Sequence, residues 1–314
     1  MSTVSHAGPT VVQRWNPANA ARRTTLCSVA VVTLAAVGGG FLPVSAGPVL
    51  LVAAGLLGLP HGAVDHLALG WARGRPGSAR PVVLLAYALA AAAAAGAALT
   101  VPVPALLILL LLSAAHFAEG EAAFDRLRGG TGAALPAAAL GLVVVAVPLV
   151  LRPGAAGPLL RSLDPALPAV LAPIRLPLLA VTSVLVLAGL ASSWRAGQRR
   201  VVGELALVAA AAIFAPPLVI FSAWFAGWHA PRHLVRLAAL EPVGDGRARV
   251  RRLALGATGP TVVAVLGLTT LVLVLGQLPG AVLVVLLALT VPHAAVVGRL
   301  DRLARASGAA VLPR

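Results

Sequence analysis

Ten apolar segments follow one another along the chain, at 25–44, 48–71, 81–100, 103–120, 132–151, 173–193, 200–216, 218–240, 256–276 and 279–298. About 20 apolar residues suffice for a helix to cross the hydrocarbon core of a bilayer. In lipid, a spanning segment must satisfy its backbone groups internally, as a helix does. The pattern therefore predicts an all-α fold, a polytopic transmembrane helical bundle of about ten helices. The seventh segment is the weakest, being short, carrying Glu204 and ending at Pro216-Pro217. Segment 152–172 is rich in proline and apolar residues and reads as a loop dipping into the interface. Residues 1–24 read as a disordered cytoplasmic tail, 25–300 as the transmembrane domain that carries the chemistry, and 301–314 as a second cytoplasmic tail.

Composition narrows the classes further. Of 314 residues, 60% are hydrophobic and 11% charged, yet the net charge is +15. Such a basic balance invites a nucleic-acid reading, but the basic residues are scattered through short connections rather than gathered on a soluble, aromatic-interleaved face. They act instead as orientation signals. With the N-terminus cytoplasmic and all ten segments crossing, 21 of the 24 basic residues fall on the cytoplasmic side, and only Arg152, Arg161 and Arg175 lie opposite. This predicts a multi-pass protein of the inner, cytoplasmic membrane with both termini inside. The run from Thr25 follows Arg22 and Arg23, lacks a small-x-small exit and reads as an uncleaved first helix. All 24 basic residues are arginine, so no lysine amine exists for a retinal Schiff base. Cys27 stands alone, which excludes a disulfide within the chain and a thiolate metal cluster.

The chain has seven histidines. His6 lies in the tail. His61, His66, His116, His229, His233 and His293 lie in the second, fourth, eighth and tenth segments, each in the C-terminal half of its helix. Those four helices run in the same direction, so the imidazoles share one slab of the membrane. Ionisable groups in apolar helices are costly, face the bundle interior and mark sites. Neutral imidazole ligates iron, zinc, copper and nickel. His229 and His233, and likewise His61 and Asp65, are spaced four apart and lie on one helical face. Asp65 either ligates or orients an imidazole. His66 falls on another face unless Pro60 and Gly62 distort the helix, and Pro292 precedes His293 in the same manner. Glu119 follows His116 by one turn, with Glu121 close behind. The bland alternative has each histidine merely hydrogen-bonding between helices; co-location of six at one depth weighs against it. Phe214, Phe221, Trp224, Phe225 and Trp228 crowd one region and fit either a polyene channel or ordinary packing. Arg232 reads as a side chain that snorkels or pairs with an acid.

Four stretches carry a resemblance. Gly58-Leu-Pro-His-Gly-Ala-Val-Asp-His66, Ser113-Ala-Ala-His-Phe117, Trp228-His-Ala-Pro-Arg-His233 and Pro292-His293 resemble the histidine motifs of the Brp/Blh family, the bacterial and archaeal membrane β-carotene 15,15'-dioxygenases. The resemblance spans about residues 48 to 300. It implies central cleavage of β-carotene with O2 into two retinals at a non-haem Fe(II) held by histidines. By position, His61, His116, His229 and His233 would be the catalytic iron ligands, with His66 and His293 nearby in support or variable, while Asp65 and Glu119 remain supporting candidates on their spacing from His61 and His116. The family also implies a functional link to a retinal-binding rhodopsin. Ala118, Glu119, Gly120 and Glu121 stand where the family often has Gly and a later Asp, and Pro231 inside the Trp-His motif is unusual. Other classes compete on the histidines alone. A divalent-metal transporter would place its site near the midplane with acids along a path. A di-iron desaturase or hydroxylase typically carries adjacent histidines, which this chain lacks. A b-type haem protein is a further alternative, which haem absorbance of the purified protein would reveal.

Overall fold

The computed structural model describes residues 15–43, 46–71, 81–241 and 245–306, and these are helical apart from their connections. The first helix, α1 (Pro17–Gly38), starts eight residues before the expected boundary. Asn16 caps it, its side-chain oxygen accepting from the backbone of Ala18 at 2.9 Å, and Pro17 sits at the first helical position. Of the N-terminal tail expected over 1–24, residues 1–14 lie outside the described residues.

Then follow α2 (Ala46–Ala63), α3 (Asp65–Trp71), α4 (Pro81–Thr100) and α5 (Pro102–Leu127). Pro60 cannot donate a backbone hydrogen bond inside α2. The helix breaks one turn later at Val64, and α3 restarts at Asp65. This break is the distortion that Pro60 and Gly62 foretold. The turn out of α5 uses glycines at positive φ, Gly129 (84°) and Gly132 (62°), and Asp125 accepts from the Gly132 backbone at 2.9 Å.

The next elements are α6 (Ala134–Leu151), α7 (Pro153–Arg161), α8 (Leu167–Leu171), α9 (Arg175–Arg195) and α10 (Arg199–Phe214). Segment 152–172 is thus two short helices rather than a loop. α7 starts with a proline at its first position, where the missing N–H costs nothing. The chain closes with α11 (Pro217–Ser222), a π-helical stretch (Ala223–His229), α12 (Ala230–Leu240), α13 (Gly246–Leu275) and α14 (Leu278–Ala306). In the π-helical stretch Ala230 N–H donates to the Phe225 carbonyl, five residues back. This wide turn lies immediately before Pro231, which lacks the N–H that a regular α-helix would require.

Eight described helices are long and apolar enough to cross a membrane, and on that basis this is a membrane protein. All ten apolar segments of the sequence are helical, but two fall short of a span by that measure. The seventh became α10, only 16 residues long with Glu204 inside it. The eighth is divided among α11, the π-helical stretch and α12.

Packing follows small residues and aromatic rings. α6 lies against α5, α9 and α10. A side chain at Gly141 would run into the α5 backbone at Ala114 and Ala118, so the glycine permits that close approach. One core cluster joins Val32, Phe117, Val143, Leu205, Trp224 and Trp228, gathering α1, α5, α6, α10 and the π-helical stretch. Another joins Leu106, Leu109, Ala156, Leu160, Val284 and Leu287, bringing α7 against α5 and α14.

Candidate metal centre

Five histidines meet where α2, α5, the π-helical stretch, α12 and α14 converge. His61, His116, His229, His233 and His293 are all buried. The His61 ring centroid lies 4.8 Å from that of His293, 5.1 Å from His229 and 5.5 Å from His233. His116 lies 4.7 Å from His293, 5.0 Å from His229 and 6.3 Å from His233. One nitrogen from each of His61, His116, His229 and His293 can be chosen so that all four lie within 4.8 Å of one another. Asp65, His233 and His293 form a second such group, sharing His293 with the first.

The hydrogen bonds around the rings decide which nitrogens are free. His61 Nδ1 donates to the Gly58 carbonyl one turn back, so its Nε2 is the atom that carries a lone pair. His293 Nδ1 lies 2.7 Å from Asp65 Oδ2, and its buried Nε2 has no hydrogen-bond partner among the described residues. Tyr87, the sole tyrosine of the chain, reaches Asp65 Oδ2 at 3.3 Å from α4. His233 has both ring nitrogens buried and without a hydrogen-bond partner among the described residues.

His116 Nε2 and His229 Nε2 stand 3.2 Å apart. Two nitrogens bound at right angles to one ion, at the roughly 2.1 Å typical of metal–imidazole bonds, stand about 3 Å apart. A buried imidazole nitrogen without a partner is costly unless something ligates it. The residues therefore fit a transition-metal ion of the kind imidazole prefers.

Aromatic rings hold the imidazoles in place. Phe117 packs edge-on to His229 at 4.7 Å, and Phe225 packs on His61 at 5.4 Å. Gly58 makes room for Phe225, since a methyl there would overlap the ring.

Beyond the histidines lies a buried ionic layer. Glu121 accepts from Trp228 Nε1 at 3.1 Å and from Arg232 at 2.6 Å. Arg232 stacks over the Trp228 ring at 3.7 Å and lies 3.5 Å from Glu204. Glu204 in turn takes a bidentate bond from Arg128 at 2.5 and 2.6 Å. Arg232 thus pairs with acids and does not snorkel. Arg236 reaches Asp301 at 2.7 Å, tying α12 to α14.

The sequence candidates separate cleanly in space. His61, His116, His229, His233 and His293 come together, with Asp65 beside them. His66 is half-buried and lines the adjoining cavity. Glu119 is exposed and belongs to neither group of candidate ligands. Sequence reading missed Tyr87 and the Glu121–Arg232–Glu204–Arg128 layer. The available signal was Glu204, an acid that the seventh segment could retain only if a cation from another helix met it.

A cavity of about 540 Å³ opens from the histidines into the bundle. Its walls are almost wholly apolar and include Leu109, Val145, Leu160, Phe221 and Leu286. The ionisable side chains of its lining are the histidines themselves, Asp65 and Tyr87. That is the form of a site for an apolar small molecule.

Fold and site together define a membrane protein of packed helices with a buried imidazole cluster at the head of an apolar chamber. The chain belongs to the beta-carotene 15,15'-dioxygenase family, whose model matches residues 52–301. No curated protein and no solved structure matches it.

Proposed function

We propose that this chain cleaves the central double bond of β-carotene with O2, giving two molecules of retinal, at an Fe(II) ion held by its histidines. The observation that carries the reading is the convergence of His61, His116, His229 and His293 at the head of an apolar cavity, in a chain of this family. The reaction balances without another reductant: one carbon–carbon double bond breaks, two carbonyl groups form, and each takes one oxygen atom of O2. Iron, when bound, supplies the binding and activation of O2 that a protein side chain lacks.

The chain's own residues do the rest. His61, His116 and His229 offer ring nitrogens toward a common point, and His293 is favoured over His233 as the fourth ligand by its tighter grouping with them. The Gly58 carbonyl fixes the His61 tautomer, and Asp65 fixes that of His293. Phe117, Phe221 and Phe225 line the cavity beside the imidazoles, the last two stacked 5.9 Å apart, and offer apolar faces to a polyene. The apolar walls exclude water and bulk nucleophiles from the site.

We further propose ten spans with both termini cytoplasmic in the inner membrane, on the arginine distribution, and a retinal-binding protein such as a rhodopsin as consumer of the product. The direct test is expression in a β-carotene-producing host followed by pigment extraction. Retinal appears with the intact chain and is absent with His229→Ala. Undiminished β-carotene with well-expressed, iron-supplied protein overturns the reading.

A further inference from the structure

The cavity is one-sided about the histidines. Along α5 its walls run from Leu106 to Phe117, along α14 from Val282 to His293, and along α11 and the π-helical stretch from Pro217 to His229. On α2 they run from Leu51 past His61 to Ala63, and they continue onto α3 at Asp65 and His66. Apart from this continuation onto α3, the chamber extends from each histidine back toward the N-terminal end of its helix. His61 and His116 each lie ten residues beyond the first lining residue of their helix, a depth of about 15 Å at 1.5 Å per residue.

The chamber meets α7 at the end away from the histidines. At the far end α7 presents Ala156, Leu159 and Leu160, with Ala156 and Leu160 buried against Leu106, Leu109 and Val284. α7 is anchored there, because Arg152 donates to the Phe214 carbonyl at 2.6 Å and Gln277 to the Ser162 carbonyl at 2.6 Å. Trp228, Glu121 and Arg232, joined by hydrogen bonds, do not line the cavity. The exposed lining residues are Leu84 and Ala88 on α4 and Val263 on α13. They mark a lateral mouth close to Tyr87, whose hydroxyl touches Asp65.

β-Carotene is about as long as the hydrocarbon core is thick, about 30 Å, so the chamber has the depth of half of it. Given the cleavage reading above, on which this inference rests, we propose that one half of the substrate enters ring-first and stops against α7. The other half then lies in the mouth between α4 and α13 and in the surrounding lipid. Ala156 and Leu160 are on this account specificity-determining residues. They set the distance from the bound ring to the histidines and so choose the bond that is cut.

The test compares purified, iron-loaded wild-type chain with Ala156→Phe, Leu160→Ala and Leu84→Trp, measuring bound iron and separating the aldehydes formed from β-carotene. Ala156→Phe shortens the chamber, and its rate of retinal formation falls at least about tenfold, the scale of a specific steric misfit. Its residual products are unequal in length, cut closer to the bound ring. Leu160→Ala deepens the chamber and adds unequal products to retinal. Leu84→Trp narrows the mouth and raises KM with the cleavage position unchanged. Iron content stays at the wild-type level in all three. If Ala156→Phe does not fold, Leu160→Ala carries the test alone. Retinal as the sole product at the wild-type rate from folded chamber variants overturns the ruler, and an unchanged KM in Leu84→Trp overturns the lateral exit. Wild-type protein that makes no retinal overturns the cleavage reading itself.

Discussion

Asp65 and His293, 228 residues apart in sequence, meet with the His293 ring Nδ1 2.7 Å from the Asp65 carboxylate, and this contact leaves Nε2 as the nitrogen facing the other imidazoles. A carboxylate behind a metal-binding histidine fixes its tautomer and raises its basicity. Asp65→Asn keeps the shape and removes the charge, and its amide nitrogen can present a donor to Nδ1, forcing the proton to Nε2. We expect iron affinity to fall about 10- to 100-fold, as for other such partners. Tyr87→Phe removes the longer 3.3 Å contact to Asp65, with a 3.5 Å contact to the Leu289 carbonyl, and produces a smaller loss. Iron titration followed by the spectrum of the bound metal measures both, independently of turnover. Wild-type affinity in Asp65→Asn overturns the role.

His233 and His293 divide the sequence-based expectation from the geometry. The spacing of His229 and His233 puts them four apart on one helix, and their ring centroids are 6.2 Å apart. Yet His233 groups with Asp65 and His293, while the four-nitrogen group takes His293 instead. We expect His61→Ala, His116→Ala and His229→Ala each to abolish stoichiometric iron binding. His293→Ala should lose more iron than His233→Ala. Metal analysis of the purified variants reads this directly, and the opposite order would assign the fourth position to His233.

Much of this was legible in the sequence, and the failures have physical causes. Helices in lipid declare themselves by apolar length, so every apolar segment became a helix. Histidines are rare enough in such segments that their common depth pointed to one site. The fourth-ligand question was not legible, because helical spacing fixes a face only while the helix is regular. The π-helical turn at Ala223–His229 and the break at Val64 both change that register. Glu119 looked close to His116 in sequence, but three residues still leave a helical side chain free to diverge, and Glu119 is exposed. Glu121, two residues further along, is buried and holds Arg232 instead. Tyr87 and Glu204 come from helices without histidines, where no local pattern links them to the site.

The ionic layer behind the histidines is predicted to be structural. Glu121→Ala would leave Arg232 buried beside Trp228 with only the longer contact to Glu204. Removing one partner of a buried pair typically costs about 3–5 kcal/mol. Because Arg232 retains Glu204, the lower end of that range is expected, read as a drop in thermal midpoint in detergent or lipid. Glu204→Ala should cost at least as much, since it orphans the bidentate Arg128 as well. Glu119→Ala, on the exposed face of the same helix, serves as control and should leave the midpoint unchanged. Iron binding measured well below the midpoint should survive in all three, because none of these carboxylates belongs to the imidazole groups.

Iron itself should stabilise the bundle. His233 presents two buried ring nitrogens without hydrogen-bond partners among the described residues, and His293 and His116 one each. An ion that binds only the folded arrangement adds stability as its concentration rises above Kd, about 2.7 kcal/mol at a hundredfold excess. The thermal midpoint should therefore rise with Fe(II) and fall on chelation. The gain should vanish in His61→Ala, whose Nε2 faces the cluster from α2. Stability that is the same with and without iron, in protein whose iron content has been measured, would mean that the imidazoles do not share an ion. It would favour instead the reading in which they only hydrogen-bond between helices, as the 3.2 Å contact between His116 and His229 would then have to do.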